Sequence, residues 1–100
     1  MTKFLLLHTS GDPTDALDAE LAATGELLDA QTLSSPDLAA VVRSTDCSPT
    51  VTTGPCTRIR RYWLVDVDSR DRAIEIAARA SAGEPIEIRQ LMRGTPATDL

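Results

Sequence analysis

Residues 61–90 read RYWLVDVDSRDRAIEIAARASAGEPIEIRQ, a strand, a helix and a second strand in thirty positions. In RYWLVDVD the side chains alternate, with Trp63, Val65 and Val67 on one face and Tyr62, Leu64 and Asp66 on the other, the period-2 pattern of a strand covered on one side. Asp68 or Ser69 supplies an N-cap, and RDRAIEIAARASA carries Ala73, Ile74, Ala77 and Ala80 along one side of a helix that Gly83 ends. Glu75 and Arg79 stand at i, i+4, where opposite charges support a helix. In EPIEIRQLM and the Arg93 that follows, Ile86, Ile88, Gln90 and Met92 fall on one face and Glu87, Arg89, Leu91 and Arg93 on the other.

Working back, KFLLLHT (3–9) is apolar on both alternating faces, the mark of a central strand covered on each side. GDPTDALDAELAATG follows, with Asp12 at the N-cap, Pro13 at the first helical position, Leu17 and Leu21 on a buried stripe and Gly25 at the end. ELLDAQTL reads as a strand that SSPD terminates. Segments 38–45 and 49–53 read as the arms of a hairpin turning at Asp46 and Cys47. The order βα, strands, βαβ specifies an α+β chain of split βαβ, ferredoxin-like arrangement with an inserted β-hairpin. One hundred residues suit one domain, 1–100, with 94–100 reading as a frayed tail. Two helices cover one face of such a sheet. The doubly apolar first strand therefore predicts a homodimer packed sheet to sheet.

A net charge of −5 argues against nucleic acid as partner, since phosphate is bound by clustered positive charge. The longest apolar run, Phe4 to Leu7, is far short of the roughly 20 residues that span a bilayer, so no membrane association and a cytoplasmic location are expected. Two cysteines at irregular spacing give neither a disulfide framework nor a zinc pattern, and no cofactor is expected.

The candidates for chemistry are few. His8, the sole histidine, is either a general acid or base oriented by Asp29, Asp66 or a partner-chain group, or a strand-end residue bonded to a turn. Cys56 follows Gly54 and Pro55 and precedes Arg58, Arg60 and Arg61; it is either a thiol activated by those cations or a small apolar plug in the turn. Arg58, Arg60 and Arg61 are candidates to clamp an anionic substrate, Arg58 and Arg60 on one face and Arg61 opposite, with Tyr62 as pocket wall, although an arginine run also suits a solvated strand start or pairing with acidic groups of a partner chain. The carboxylates of DVDSRD stand at capping rather than metal-binding spacing.

LLLH (5–8), AATGELLDAQTLSSP (22–36), TGPC (53–56), YWLVDVDS (62–69) and AIEIAAR (73–79), taken in this order, resemble the YCII-related family, in particular its branch with an Asp-Gly-Pro-Phe signature. Here Thr53 stands for the signature Asp and Cys56 for the Phe, the first helix lacks the catalytic His of the wider family, and His8 stands where the branch carries Tyr. The resemblance implies a dimeric α/β barrel with a cleft for a small organic molecule, organic anions included. It implies either a cofactor-independent lyase, isomerase or cyclase, or a non-catalytic ligand-binding or regulatory barrel.

Overall fold

The computed structural model describes residues 1–10, 14–45, 48–54 and 57–92. Asp12, Pro13, Asp46, Cys47, Cys56 and the tail 94–100 lie outside these residues, so the cap, turn, thiol and tail expectations attached to them lie outside the described structure. The elements are β1 (Thr2–His8), α1 (Asp15–Ala23), β2 (Leu27–Thr32), a 3-10 turn (Pro36–Leu38), β3 (Ala40–Thr45), β4 (Ser48–Thr53), β5 (Arg61–Val67), α2 (Arg70–Ser81) and β6 (Ile86–Gln90).

Four strands form an antiparallel sheet in the order β2-β5-β1-β6, while β3 and β4 pair only with each other. This is an α+β chain whose sheet and two helices are compatible with a ferredoxin-like fold. Among the described residues no helix is long and apolar enough to cross a membrane.

The two central strands share one register, in which Phe4 faces Val65, Leu6 faces Trp63 and His8 faces Arg61. Cross-strand partners share a face, so Phe4, Leu6, His8, Arg61, Trp63, Val65 and Val67 all point to the same side, and all are buried. The helices cover that side. Leu21 of α1 and Ala73, Ile76, Ala77 and Ala80 of α2 complete the core, with Leu17, Leu27, Ala30, Ile86 and Ile88 packed against it.

The buried stripe of α2 thus runs through Ile76, while Ile74 is 40% exposed, contrary to the face read from sequence. Positions 73, 76, 77 and 80 keep the 3, 4, 7 spacing of one helix face, and a stripe of alanines is too faint to say which of the two isoleucines belongs to it.

Both ends of α2 and the C-terminal end of α1 follow their sequence signals. Ser69 accepts from the Arg72 amide (3.3 Å) at the start of α2, and Ala82 (φ 49°) and Gly83 (φ 88°) turn left-handed at its end. At the end of α1 the Glu26 amide donates to the Leu21 carbonyl (3.0 Å) and the Gly25 amide to the Ala22 carbonyl (3.1 Å), a Schellman closure whose left-handed residue is Gly25 (φ 80°). Helix α1 begins at Asp15 with Thr14 in the cap position.

Charge pairs join elements as well as neighbours in sequence. Arg79 binds Glu20 of α1 through two contacts (3.0 and 2.6 Å) instead of Glu75, and Glu75 takes Arg72. Arg72 also grips Glu26 with Nε and Nη2, both at 2.8 Å, so α2 is tied to the start of β2. Hydrogen bonding to Arg72 holds the Glu26 carboxyl down at about 2, against an ordinary 4.5. Because the folded value is the lower one, this stability is present in full above about pH 4.5 and is lost as pH falls toward about 2. Urea midpoints measured across that window should fall with pH in the wild type and fall less steeply in Glu26→Gln; identical slopes would remove the pair from the acid limb.

Candidate functional site

Two groups of polar side chains flank the sheet, one on each face. On the helix side Asp18, one turn into α1, is the hub. Its carboxylate takes an ion pair from Arg61 Nη2, a hydrogen bond from Trp63 Nε1 (2.8 Å) and one from Thr14 Oγ1 (3.1 Å). Arg61 also donates from Nη1 to Thr32 Oγ1 (2.8 Å), and its Cζ lies 5.1 Å from the centre of the Trp63 ring. The His8 ring centre lies 6.0 Å from that of Trp63, tilted by 38°.

His8 is 3% exposed, and its Nε2 has no hydrogen-bond partner; the same holds for Arg61 Nε. Just beyond this end of the sheet an open depression of about 330 Å³ is lined by Thr9, Ser10, Ala82 and Glu84.

Among the described residues the other face of the sheet has no helix over it. Reading across the strands, Gln31, Tyr62, Leu7 and Glu87 form one row; Asp29, Leu64, Leu5 and Arg89 form the next; Asp66 and Lys3 follow. Leu5, Leu7 and Leu64 in its middle are half-buried, and Glu87 and Arg89 pair at 3.3 Å on the β6 edge.

The register slips between Leu27 and Asp29. Without this bulge Asp29 would oppose Trp63 and enter the core; with it the carboxylate stands on the open face beside Tyr62. Tyr62 Oη donates to Asp29 Oδ2 (2.7 Å) and Gln31 Nε2 to Asp29 Oδ1 (3.1 Å). Accepting from Tyr62 and then from Gln31 lowers the Asp29 pKa, and donating to Asp29 raises that of Tyr62. At neutral pH the pair is a phenol bound to a carboxylate. It can position a ligand through hydrogen bonds, and neither member is set up to take a proton.

The sequence candidates are therefore split by the sheet. His8 faces the helices; Asp29, Asp66 and Tyr62 face away. Neither Asp29 nor Asp66 orients His8 within one chain, and the carboxylate bonded to its neighbours Arg61 and Trp63 is Asp18. Strand β5 begins at Arg61, so Arg58 and Arg60 precede it. Arg58 is exposed, and Arg60 is half-buried with an Nε that lacks a partner, as does Asp66 Oδ1. Among the described residues no group of three His, Cys, Asp or Glu side chains is placed to hold a metal ion.

Sequence reasoning passed over Asp18 and took Arg61 only as one of a run of cations, beside Cys56 or for an anionic substrate. Both had a signal: strand parity puts Arg61 on the face of Trp63, and Asp18 lies one turn before Leu21 on the inner side of α1. No model of a known protein family matches this chain, and none of the curated proteins matches it.

Proposed function

We propose that the chain is a YCII-related protein that assembles as a homodimer of dimeric α/β barrel type. The open faces of two sheets, each with the ribbon β3–β4 as an insert beside it, enclose a cleft for a small organic acid. The observation that carries this reading is the band of Leu5, Leu7 and Leu64 on a sheet face that no described helix covers, bordered by the hydrogen-bonded Tyr62–Asp29 pair. Apolar surface in the middle of a sheet is stabilised by a second layer, and a second copy supplies one. Tyr62 and Asp29 are the polar wall, and Arg58 and Arg60 are the cations for an acidic ligand.

The non-catalytic form of this reading draws more support than the acid–base form. A cofactor-independent lyase, isomerase or cyclase needs a base in the cleft, and the one imidazole is packed on the opposite side of the sheet against Trp63.

Light scattering at micromolar concentration should give twice the 10.7 kDa chain mass for the wild type and the chain mass for Leu64→Asp. A monomeric wild type overturns the assembly. Thermal-shift measurements with small carboxylates and aromatic acids should find a stabilising ligand whose effect weakens about tenfold in Tyr62→Phe, the scale of one hydrogen bond. The effect should persist in His8→Ala. Loss in His8→Ala and retention in Tyr62→Phe would favour the acid–base reading instead.

A further inference from the structure

Arg60 belongs to the same face as the Tyr62–Asp29 pair. The Leu33 amide donates to its carbonyl (2.7 Å), continuing the β2–β5 register of Gln31 with Tyr62 and Thr32 with Arg61. Alternation along the strand then places Arg60 with Tyr62, on the side away from Arg61. Two residues of strand separate them, about 7 Å, so both side chains reach one small molecule.

Their hydrogen-bonding demands are opposite. Tyr62 spends its only proton on Asp29 Oδ2, and Asp29 Oδ1 accepts from Gln31. What the pair still offers is lone pairs, on the phenol oxygen and on a charged carboxylate, and these suit a donor, a cationic one above all. A ligand carboxylate set against the pair would meet lone pairs and a like charge. Arg60 offers the reverse, since its Nε–H is buried and has no acceptor, an arrangement that a ligand oxygen relieves. Of the other cations on this face, Arg89 pairs with Glu87, and Lys3 stands opposite Asp66.

Charge balance agrees. Among the described residues assigned to this face, Lys3, Arg60 and Arg89 match Asp29, Asp66 and Glu87, so a ligand of zero net charge leaves the balance intact. Leu5, Leu7 and Leu64 alongside supply an apolar bed.

We infer that the ligand of this face is a free amino acid with an apolar side chain, its carboxylate on Arg60, its ammonium on Tyr62 Oη and Asp29, and its side chain on the leucines. This rests on the cleft proposed above and narrows its small organic acid to a zwitterion.

The test is a thermal-shift and calorimetric titration of the wild type with two matched sets: phenylalanine, hydrocinnamate and phenethylamine, and leucine, isocaproate and isoamylamine. Each set removes first the amine and then the carboxylate from one skeleton. One of the amino acids should bind at least about tenfold more tightly than either of its truncated analogues, the scale of a hydrogen bond to a charged group. Asp29→Asn should abolish the preference over the acid, and Arg60→Gln the preference over the amine, with both variants folded by Trp63 fluorescence and circular dichroism.

Acids that bind the wild type as tightly as their amino acids overturn the inference and leave the cleft for an organic acid standing. Amines that bind as tightly as the amino acids overturn it as well, and so does an Asp29→Asn protein that keeps the full preference. A wild type that binds none of the six compounds overturns the inference, and if small carboxylates in general also fail, the cleft falls with it.

Discussion

Asp18→Ala is expected to lower the unfolding free energy by about 3 kcal/mol, the low end of what removing one member of a buried ion pair costs. The carboxylate meets Arg61, Trp63 and Thr14 at once, and the first two are 8% and 0% exposed. Alanine leaves a guanidinium and an indole N–H facing each other across a space with no acceptor, and that desolvation is the main loss. Denaturant titration followed by Trp63 fluorescence measures it. Removing the cation as well, in Asp18→Ala with Arg61→Met, should recover part of the loss, because two matched apolar groups lack the orphaned charge. A single-variant loss below about 1 kcal/mol would show that the network is solvated and contributes little.

Trp63→Ala is expected to cost about 3–5 kcal/mol, the usual range for truncating a buried aromatic. Trp63 lies on a central strand between Leu6 of β1 and Ala30 of β2, fully buried, and its ring also carries the Arg61 guanidinium and the His8 ring. A domain of this kind is stable by only about 5–15 kcal/mol in total, so the variant sits near the limit of folding. Trp63→Phe keeps most of the apolar contact and loses the hydrogen bond to Asp18, for about 1–2 kcal/mol. Both variants remove the only tryptophan, so circular dichroism must follow their unfolding. A Trp63→Ala protein as stable as Trp63→Phe would show that the ring does not fill the core.

The strands were legible because their side chains alternate against a covered face. RYWLVDVD specified β5 with its two faces correctly divided, and Ile86 and Ile88 did the same for β6. The hairpin arms were found within two residues of their ends. The face of α2 was misread because Ile74 and Ile76 both lie close to a stripe otherwise made of alanine. The Glu75–Arg79 pair failed for a different reason: helical spacing makes such a pair available, and Glu20 across the helix–helix contact competes for Arg79 with both its oxygens.

At the site, parity correctly grouped His8 with Phe4 and Leu6 but could not say which face the helices take. The β1–β5 register, which sets His8 opposite Arg61 and Leu7 opposite Tyr62, is what separates the imidazole from Asp29, Asp66 and Tyr62. The bulge that brings Asp29 to Tyr62 leaves no mark in ELLDAQTL, since a one-residue slip changes the facing of side chains without changing their identity.

The strand order also bears on when the chain can fold as it is synthesised. β1 and β2 emerge first, yet in space they are separated by β5, and Thr2 finds its partner in Val67. Roughly two-thirds of the chain must therefore leave the ribosome before any strand of the main sheet meets its neighbour. Until then the nascent β1 carries two apolar faces with no partner on either edge, and the arrival of residues 61–67 joins both halves in one step. The long ribbon that precedes them adds little to the difficulty, because doubling a connecting loop costs only about 0.6 kcal/mol of closure entropy.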